Sequence, residues 1–285
     1  MTMKVATTTA EFRRLRAGLP EAVGFVPTMG YLHEGHLSLV REARARTASV
    51  VASIFVNPSQ FAPSEDLADY PRDLDRDLEL LESEGVDIVF HPTAGEMYPE
   101  GFDTWVEVDR LTKRLEGASR PTHFRGVATV VAKLFNIVRP NIAVFGQKDA
   151  QQALVIRRLI EDLDLDVELV VAPTVREPDG LAMSSRNEYL TFEERPAAAV
   201  LRRALLRAES AYGEGERDVR RIRVVVEETL AGEPLVRPLY VSVADVETLE
   251  EMETIERKAL LSLAAQIGRA RLIDNTVLPP GEGLI

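Results

Sequence analysis

The chain has 285 residues, 45% of them hydrophobic, and a formal net charge of −12; it is long enough for one large domain or two smaller ones, while the acidic balance argues against a broad surface for tracking nucleic acid, which needs clustered Lys and Arg. It has no cysteine and four histidines, His33, His36, His91 and His123, which rules out disulfides, thiolate catalysis and cysteine-held zinc and weighs against a histidine-rich metal site. No apolar run is as long as a membrane span, the stretch 127–138 being broken by Lys133 and Asn136, and no signal-peptide pattern opens the chain, so a cytoplasmic protein is expected.

The first predicted strand, 22–27, runs into Pro27-Thr-Met-Gly-Tyr-Leu-His-Glu-Gly-His36, and a helical pattern follows over 37–46. A strand that enters a glycine-bearing loop and leaves as a helix suits a phosphate, because helix N-termini carry unpaired N–H groups and the positive dipole end. Further strands are predicted at 50–56, 86–90, 142–146 and 167–172, short and rich in Val, Ile and Phe. Helical patterns over 74–84, 126–138 and 150–163 alternate with them. This alternation predicts a Rossmann-like α/β fold: a doubly wound parallel sheet with helices on both faces, its ligands beyond the carboxyl ends of the strands.

After Pro173 the pattern changes. A loop through 176–180 leads to one long predicted helix, 192–212, a Gly-Glu-Gly break at 213–215, and a second helix over 218–231. Three strands follow, at 239–246, 259–267 and 271–277, with an acidic, solvated connector at 247–256. Helices followed by consecutive strands predict a small α+β domain. Residues 1–175 are thus expected to form the nucleotide- and substrate-binding domain, and 176–285 a small domain acting as a lid.

Chemistry concentrates in four segments that follow strands. Besides the His33-Glu-Gly-His36 loop, Phe55-Val-Asn-Pro-Ser-Gln-Phe61 offers the amides of Asn57 and Gln60, donor and acceptor together; Asn-Pro also begins ordinary turns. In Gly146-Gln-Lys-Asp149, Lys148 can neutralise a polyphosphate and Asp149 can hold a metal ion or cap a helix, with Gln152 one turn on. In Met183-Ser-Ser-Arg-Asn187, two hydroxyls and a guanidinium can wrap phosphates, or cap the helix that follows. Asp73, Asp75 and Asp77 alternate and read as a solvated face, with Asp77 the one that could reach Mg²⁺. His91 and His123 read as ordinary partly buried or surface histidines, with an anion contact the alternative for His123, which lies near Arg120 and Arg125. Neither a P-loop nor a G-x-G-x-x-G fingerprint occurs, and zinc on His33 and His36 lacks further ligands.

In combination and order, these four segments resemble the paired signatures of the nucleotidyltransferase superfamily and, more closely, the pantothenate synthetase family, along essentially the whole chain. The resemblance implies an enzyme, a ligase of pantothenate biosynthesis that joins pantoate to β-alanine using ATP through a pantoyl adenylate, releasing AMP and pyrophosphate. It implies that Met29, Gly30, His33, Gly35, His36, Gly146, Lys148, Asp149, Val175, Met183, Ser184, Ser185 and Arg186 bind ATP. His36, the general acid, would act with His33, Lys148 and Arg186. Gln60 and Gln152, with Asn57, would hold pantoate and β-alanine; Asp77 and Asp149 would meet Mg²⁺; the protein would be a homodimer. Family members commonly carry Glu where Gln147 stands. The competing readings are another nucleotidyltransferase, acting on a phosphorylated metabolite, and a catalytically idle nucleotide sensor. The former would ignore pantoate, and the latter is expected to lose a histidine, Lys148 or Arg186.

Overall fold

The computed structural model describes residues 2–61, 67–68 and 70–285. They form two compact units, one of 1–146 with 151–172, the other of 147–150 with 173–285. The chain order is β1 (Lys4–Ala6), α1 (Thr9–Arg16), β2 (Val23–Thr28), α2 (Glu34–Arg46), β3 (Ser49–Ile54), α3 (Leu74–Ser83), β4 (Ile88–Phe90), α4 (Ala94–Met97), α5 (Leu115–Ser119), α6 (His123–Val138), β5 (Ile142–Gly146), α7 (Ala150–Asp162) and β6 (Glu168–Ala172). The second unit continues with α8 (Glu194–Ala198), α9 (Val200–Gly213), α10 (Val219–Ala231), β7 (Val236–Asp245), β8 (Ala259–Ile267) and β9 (Ala270–Leu278).

In the first unit six strands pair in the order β1-β4-β3-β2-β5-β6, every pair parallel. Parallel strands covered on both faces have no polar side to show, so β3, Ser-Val-Val-Ala-Ser-Ile, is buried at all six residues. Alternate side chains divide between two cores. Val26, Val50, Ala52, Ile54, Val89, Val144 and Val170 pack with Leu39, Val40 and Ala43 of α2 and Leu81 of α3. The next residue along faces the other way: Phe25 meets Phe135 of α6 and Phe90 meets Phe12 of α1, ring centroids 6.4 and 5.1 Å apart. The strand order reverses around β2, whose neighbours are β3 and β5. That switch point is where ligands bind in open α/β sheets, and the His33–His36 loop leaves from it.

The second unit is an antiparallel sheet, β7-β8-β9, whose core joins Leu201, Leu205, Ile222 and Val226 of the helices to Val241, Leu261, Leu263 and Leu272 of the strands. The parallel α/β sheet and the small α+β unit predicted from the sequence are both present. Three details differ. β1 and α1 lie in a stretch with no predicted element: β1 has three residues, and α1 buries Phe12 alone, too little to leave a periodicity. The single helix expected over 192–212 is two, α8 and α9. They meet at Ala199, whose N–H bonds Pro196 O in a tighter turn; Pro196, with no N–H of its own, sits in the first turn of α8. Finally, 147–150 belongs with the second unit, an excursion of which the sequence carries no sign. No helix of the described residues is long and apolar enough to cross a membrane.

One glycine fixes how α6 meets the segment after β3. A side chain at Gly126 would run into the carbonyl of Ser59, well inside van der Waals contact. Gly126→Ala must push α6 away from the 3₁₀ turn Pro58–Gln60 or strain both. We expect a loss of about 1–3 kcal/mol, read as a lower denaturation midpoint; an unchanged midpoint contradicts the close approach.

Candidate functional site

The loop after β2 is built so that its own polar groups hold it. Gly30 has φ +84° and Tyr31 φ +52°, a left-handed turn that aims successive N–H groups inward. Gly30 N–H meets Thr28 Oγ1 at 3.2 Å, and Thr28 Oγ1 donates to Ser53 O at 2.8 Å. The N–H groups of Tyr31 and Leu32 each donate to one carboxylate oxygen of Asp77, both at 2.7 Å. Asp77 is 1% exposed. Burial pushes its carboxyl above the usual range while these two N–H groups pull it down. Asp77 is therefore no part of a solvated face, as its spacing with Asp73 and Asp75 had suggested. With both oxygens engaged and almost no exposure, it does not fit a metal ligand either.

Next comes the cap of α2. His33 is its N-cap, and Gly35 N–H donates to His33 Nδ1 at 3.1 Å, while His33 N–H donates to His36 Nδ1 at 3.3 Å. This is the reciprocal logic of a capping box, with imidazoles in place of Ser and Glu. A ring nitrogen that accepts carries no proton, so each neutral imidazole keeps its hydrogen on Nε2. The rings lie 4.1 Å apart. The expectation of unpaired helix N–H groups for a phosphate needs revision, since Gly35 N–H is taken by the cap and His36 N–H bonds His33 O at 2.8 Å. The cap thus sets the same tautomer in both rings, with the hydrogen of each on Nε2.

The segment after β3 is organised by Asn57, 1% exposed. Its Oδ1 accepts from Ser59 N–H (3.3 Å), Ser59 Oγ (2.9 Å) and Tyr98 Oη (2.9 Å). Its Nδ2 donates to Gly126 O (3.2 Å) and to Gln60 Oε1 (2.9 Å). A backbone N–H can only donate and a carbonyl can only accept, so the Asn57 amide has one permitted orientation. That orientation in turn fixes Gln60, whose Oε1 is occupied and whose Nε2 is turned the other way as a donor. Asn57, read from the sequence as a substrate amide, has its hydrogen-bonding capacity used inside the protein; it sets Gln60 instead. The Gln60 carbonyl is held as well, by His123 Nδ1 at 2.9 Å and Arg120 at 3.1 Å. His123 thus has a definite task, and Tyr98, His123 and Arg120 are site-supporting residues that sequence reasoning missed. Their partners lie 41 to 63 residues away, and no local pattern marks them. At the start of α7, Gln151 is buried and bonded to the backbone of Leu111, Arg114 and Glu116. Gln152 takes no part in those bonds.

In the second unit Lys148 lies 3.6 Å from Asp149, their side chains 21% and 49% exposed. Met183 N–H bonds Val175 O at 3.0 Å, and Arg176 and Ala182 form an antiparallel bridge. The 175–183 segment is thus a small hairpin that delivers Ser184. Ser184 Oγ accepts Arg186 N–H at 3.2 Å, capping the 3₁₀ turn Ser185–Tyr189. The Arg186 guanidinium forms no ion pair among the described residues. At the hairpin's base Arg176 makes a two-pronged contact with Asp274, at 2.6 and 2.9 Å. Among the described residues no group of three or more His, Cys, Asp or Glu could hold a metal ion. The two units therefore hold, each by itself, groups suited to anions: imidazole and amide N–H in the first, Lys148, Arg186 and hydroxyls in the second.

The family described as pantoate-β-alanine ligase matches residues 2–277. The chain is 60% identical to a pantothenate synthetase of Roseiflexus sp. (strain RS-1), over 97% of this chain and 99% of that one. It is 59% identical to that of Chloroflexus aurantiacus, over 99% and 100%. Among solved structures, pantothenate synthetase from Thermus thermophilus superposes with a TM-score of 0.91 at 52% identity, covering 96% and 98% of the two chains. Pantoate-β-alanine ligase from Francisella tularensis, complexed with β-γ ATP and β-alanine, does so with a TM-score of 0.81 at 33% identity, covering 99% and 100%.

Asp77→Asn tests how the first loop is held. The amide keeps one acceptor and turns an N–H toward the second backbone N–H, leaving a buried donor unmet at a cost of about 1–3 kcal/mol. Hydrogen exchange at Tyr31 and Leu32 is expected to quicken by roughly tenfold or more. Unaltered exchange would show that the carboxylate does not hold the turn.

Proposed function

We propose a residue-level route for a chain that belongs to the pantoate–β-alanine ligase family and joins pantoate to β-alanine with ATP. A carboxylate is a poor electrophile, so the pantoate carboxylate first attacks the α-phosphorus of ATP in line. The bond to the bridging oxygen breaks and pyrophosphate leaves. The amine of β-alanine then attacks the acyl carbon of the pantoyl adenylate, AMP departs with the former carboxylate oxygen, and the nitrogen loses a proton. Atoms balance with no enzyme-bound intermediate.

The observation that carries this reading is the imidazole pair. The cap holds His33 and His36 with their protons on Nε2, so two donors are oriented before any nucleotide arrives. Donors fixed in advance stabilise developing charge without reorganising in the transition state. In this reading both meet the phosphates, His36 as the general acid, and Met29, Gly30 and Gly35 line the nucleotide. Lys148 and Arg186 add positive charge, and Gly146, Asp149, Val175, Met183, Ser184 and Ser185 complete the ATP contacts. Gln60, its Oε1 engaged by Asn57 so that Nε2 serves as the donor, donates to the hydroxyls and carboxylate of pantoate, with Gln152 alongside. Mg²⁺ when bound supplies further neutralisation on the phosphates; half-exposed Asp149 fits it, as one carboxylate beside substrate oxygens and water suffices for this ion. The adenylate must be kept from water. A homodimer in the cytoplasm is the form proposed from the family resemblance.

Exchange of labelled pyrophosphate into ATP tests the first step: it should require pantoate and proceed without β-alanine. Exchange indifferent to pantoate points to a different nucleotidyltransferase and sinks the route. His36→Ala and Lys148→Ala should each slow adenylate formation about 10²–10³-fold; a loss below about threefold removes that residue from its role. Gln60→Ala should chiefly raise the KM for pantoate, since an amide on a substrate hydroxyl acts in ground and transition states alike. Unchanged pantoate affinity in a titration contradicts it.

A further inference from the structure

Residues 147–150 leave the unit of the strand that precedes them and join the second unit, and one side chain accounts for it. Asn275, on β9, is 4% exposed. Its Nδ2 donates to Gln147 O at 3.0 Å and to Lys148 O at 2.9 Å, while Gln147 Nε2 reaches Asn275 Oδ1 at 3.4 Å. A buried amide is costly unless its hydrogen bonds are made, and here both donors go to consecutive carbonyls. Those carbonyls belong to the two peptide planes that flank the Cα of Lys148. With both planes pinned, φ and ψ of Lys148 are set, and with them the direction in which its side chain departs. The residue before it, Asp274, is 1% exposed and grips Arg176. Arg176 also donates to Gly180 O at 3.1 Å, closing the base of the hairpin that leads to Ser184 and Arg186. One dipeptide of β9 thus anchors two segments that are about 35 residues apart in the chain.

We propose that Asn275 is a positioning residue for the ligase reaction: it touches no substrate, and acts by fixing the backbone of Lys148 on the same strand that, through Asp274 and Arg176, anchors the Ser184–Arg186 segment. The inference rests on the reading that Lys148 acts on the phosphates of ATP. Asn275 then speeds adenylate formation through Lys148 and through no other group, whereas a residue that merely stabilises β9 affects all variants alike.

A double-mutant cycle separates these cases, with single-turnover adenylate formation measured for the wild type, Asn275→Ala, Lys148→Ala and the double variant. Asn275→Ala is expected to slow adenylation about 10–100-fold, a range below the loss of a transition-state donor itself, with the KM for pantoate within about twofold. In the Lys148→Ala background the same change should cost less than about twofold, since no side chain remains to be aimed. Should Asn275→Ala not fold, Asn275→Asp keeps the shape while setting carboxylate oxygens against the two carbonyls, and is expected to behave likewise. Equal losses in both backgrounds, or no loss in the first, overturn the proposal. If Lys148→Ala itself leaves adenylation unchanged, the reading of Lys148 fails and the proposal falls with it, an outcome distinct from additivity.

Discussion

The loop that carries the imidazole pair depends on a buried carboxylate that meets two backbone N–H groups. Between β2 and α2 the chain must turn through Gly30 and Tyr31, both at positive φ, and the turn points the N–H groups of Tyr31 and Leu32 into the protein. Without an acceptor they would be buried and unsatisfied, and the turn would open. Asp77, delivered by α3, takes one on each oxygen. Only with that turn closed does His33 arrive at the N-cap of α2, where it and His36 can bond to each other's turn of backbone. The imidazoles are thus placed by a residue 41 or more positions further along the chain.

The same pattern, a side chain set by a relay of hydrogen-bonded neighbours, recurs at Gln60. The Ser59 N–H and the Gly126 carbonyl settle which end of Asn57 is oxygen, Asn57 settles which end of Gln60 is nitrogen, and His123 and Arg120 fasten the Gln60 backbone carbonyl. Burial keeps the Tyr98 phenol protonated and so a donor, its hydroxyl raised by desolvation. Such a network is rigid because each member is satisfied, and a satisfied network specifies one geometry where an apolar core would tolerate several. Precise placement of donors, rather than many charges, is what this network achieves.

How much of this was legible depended on the range of the interactions involved. Strands buried on both faces announce themselves by composition: 259–267 and 142–146 match β8 and β5 end for end, and 22–27 differs from β2 by one residue. The four segments that carry the candidate site could be found because their residue types are unusual together. Their internal roles could not. Asp73, Asp75 and Asp77 look alike in the chain, yet Asp73 caps α3 and Asp77 holds a loop some 45 residues away. Asn57 looked like a ligand amide, yet Ser59 and Gln60 beside it and Tyr98 and Gly126 from other elements take up its hydrogen bonds. Asn275 carried no signal at all, being an ordinary polar residue in a strand. Hydrogen-bond partnership across tens of residues is set by topology, and periodicity does not record it.

A net charge of −12 poses a problem for any protein that must receive a triphosphate, and its answer is local. Several acidic residues that lie within the candidate segments, or hold them, are committed to partners, while Asp149 stays half-exposed 3.6 Å from Lys148. Glu34, between the two histidines at the head of α2, would repel a phosphate if left to itself; Arg41 holds it at 2.5 Å and spans to Glu84 as well, and this pairing keeps the Glu34 carboxyl below its ordinary range. Asp77 is spread over two N–H groups. Asp274 faces the Arg176 guanidinium, and Asp179, in the hairpin that leads to Ser184, faces Arg195 at 2.6 Å. The exposed pairs among them, Glu34–Arg41 and Asp179–Arg195, add little to stability. Their effect is on the field that an incoming anion meets, because a paired carboxylate contributes a short-ranged dipole where a lone one contributes a charge. Within each unit the carboxylates that border the candidate segments are thus held by partners, Glu34 and Asp77 in the first, Asp179 and Asp274 in the second.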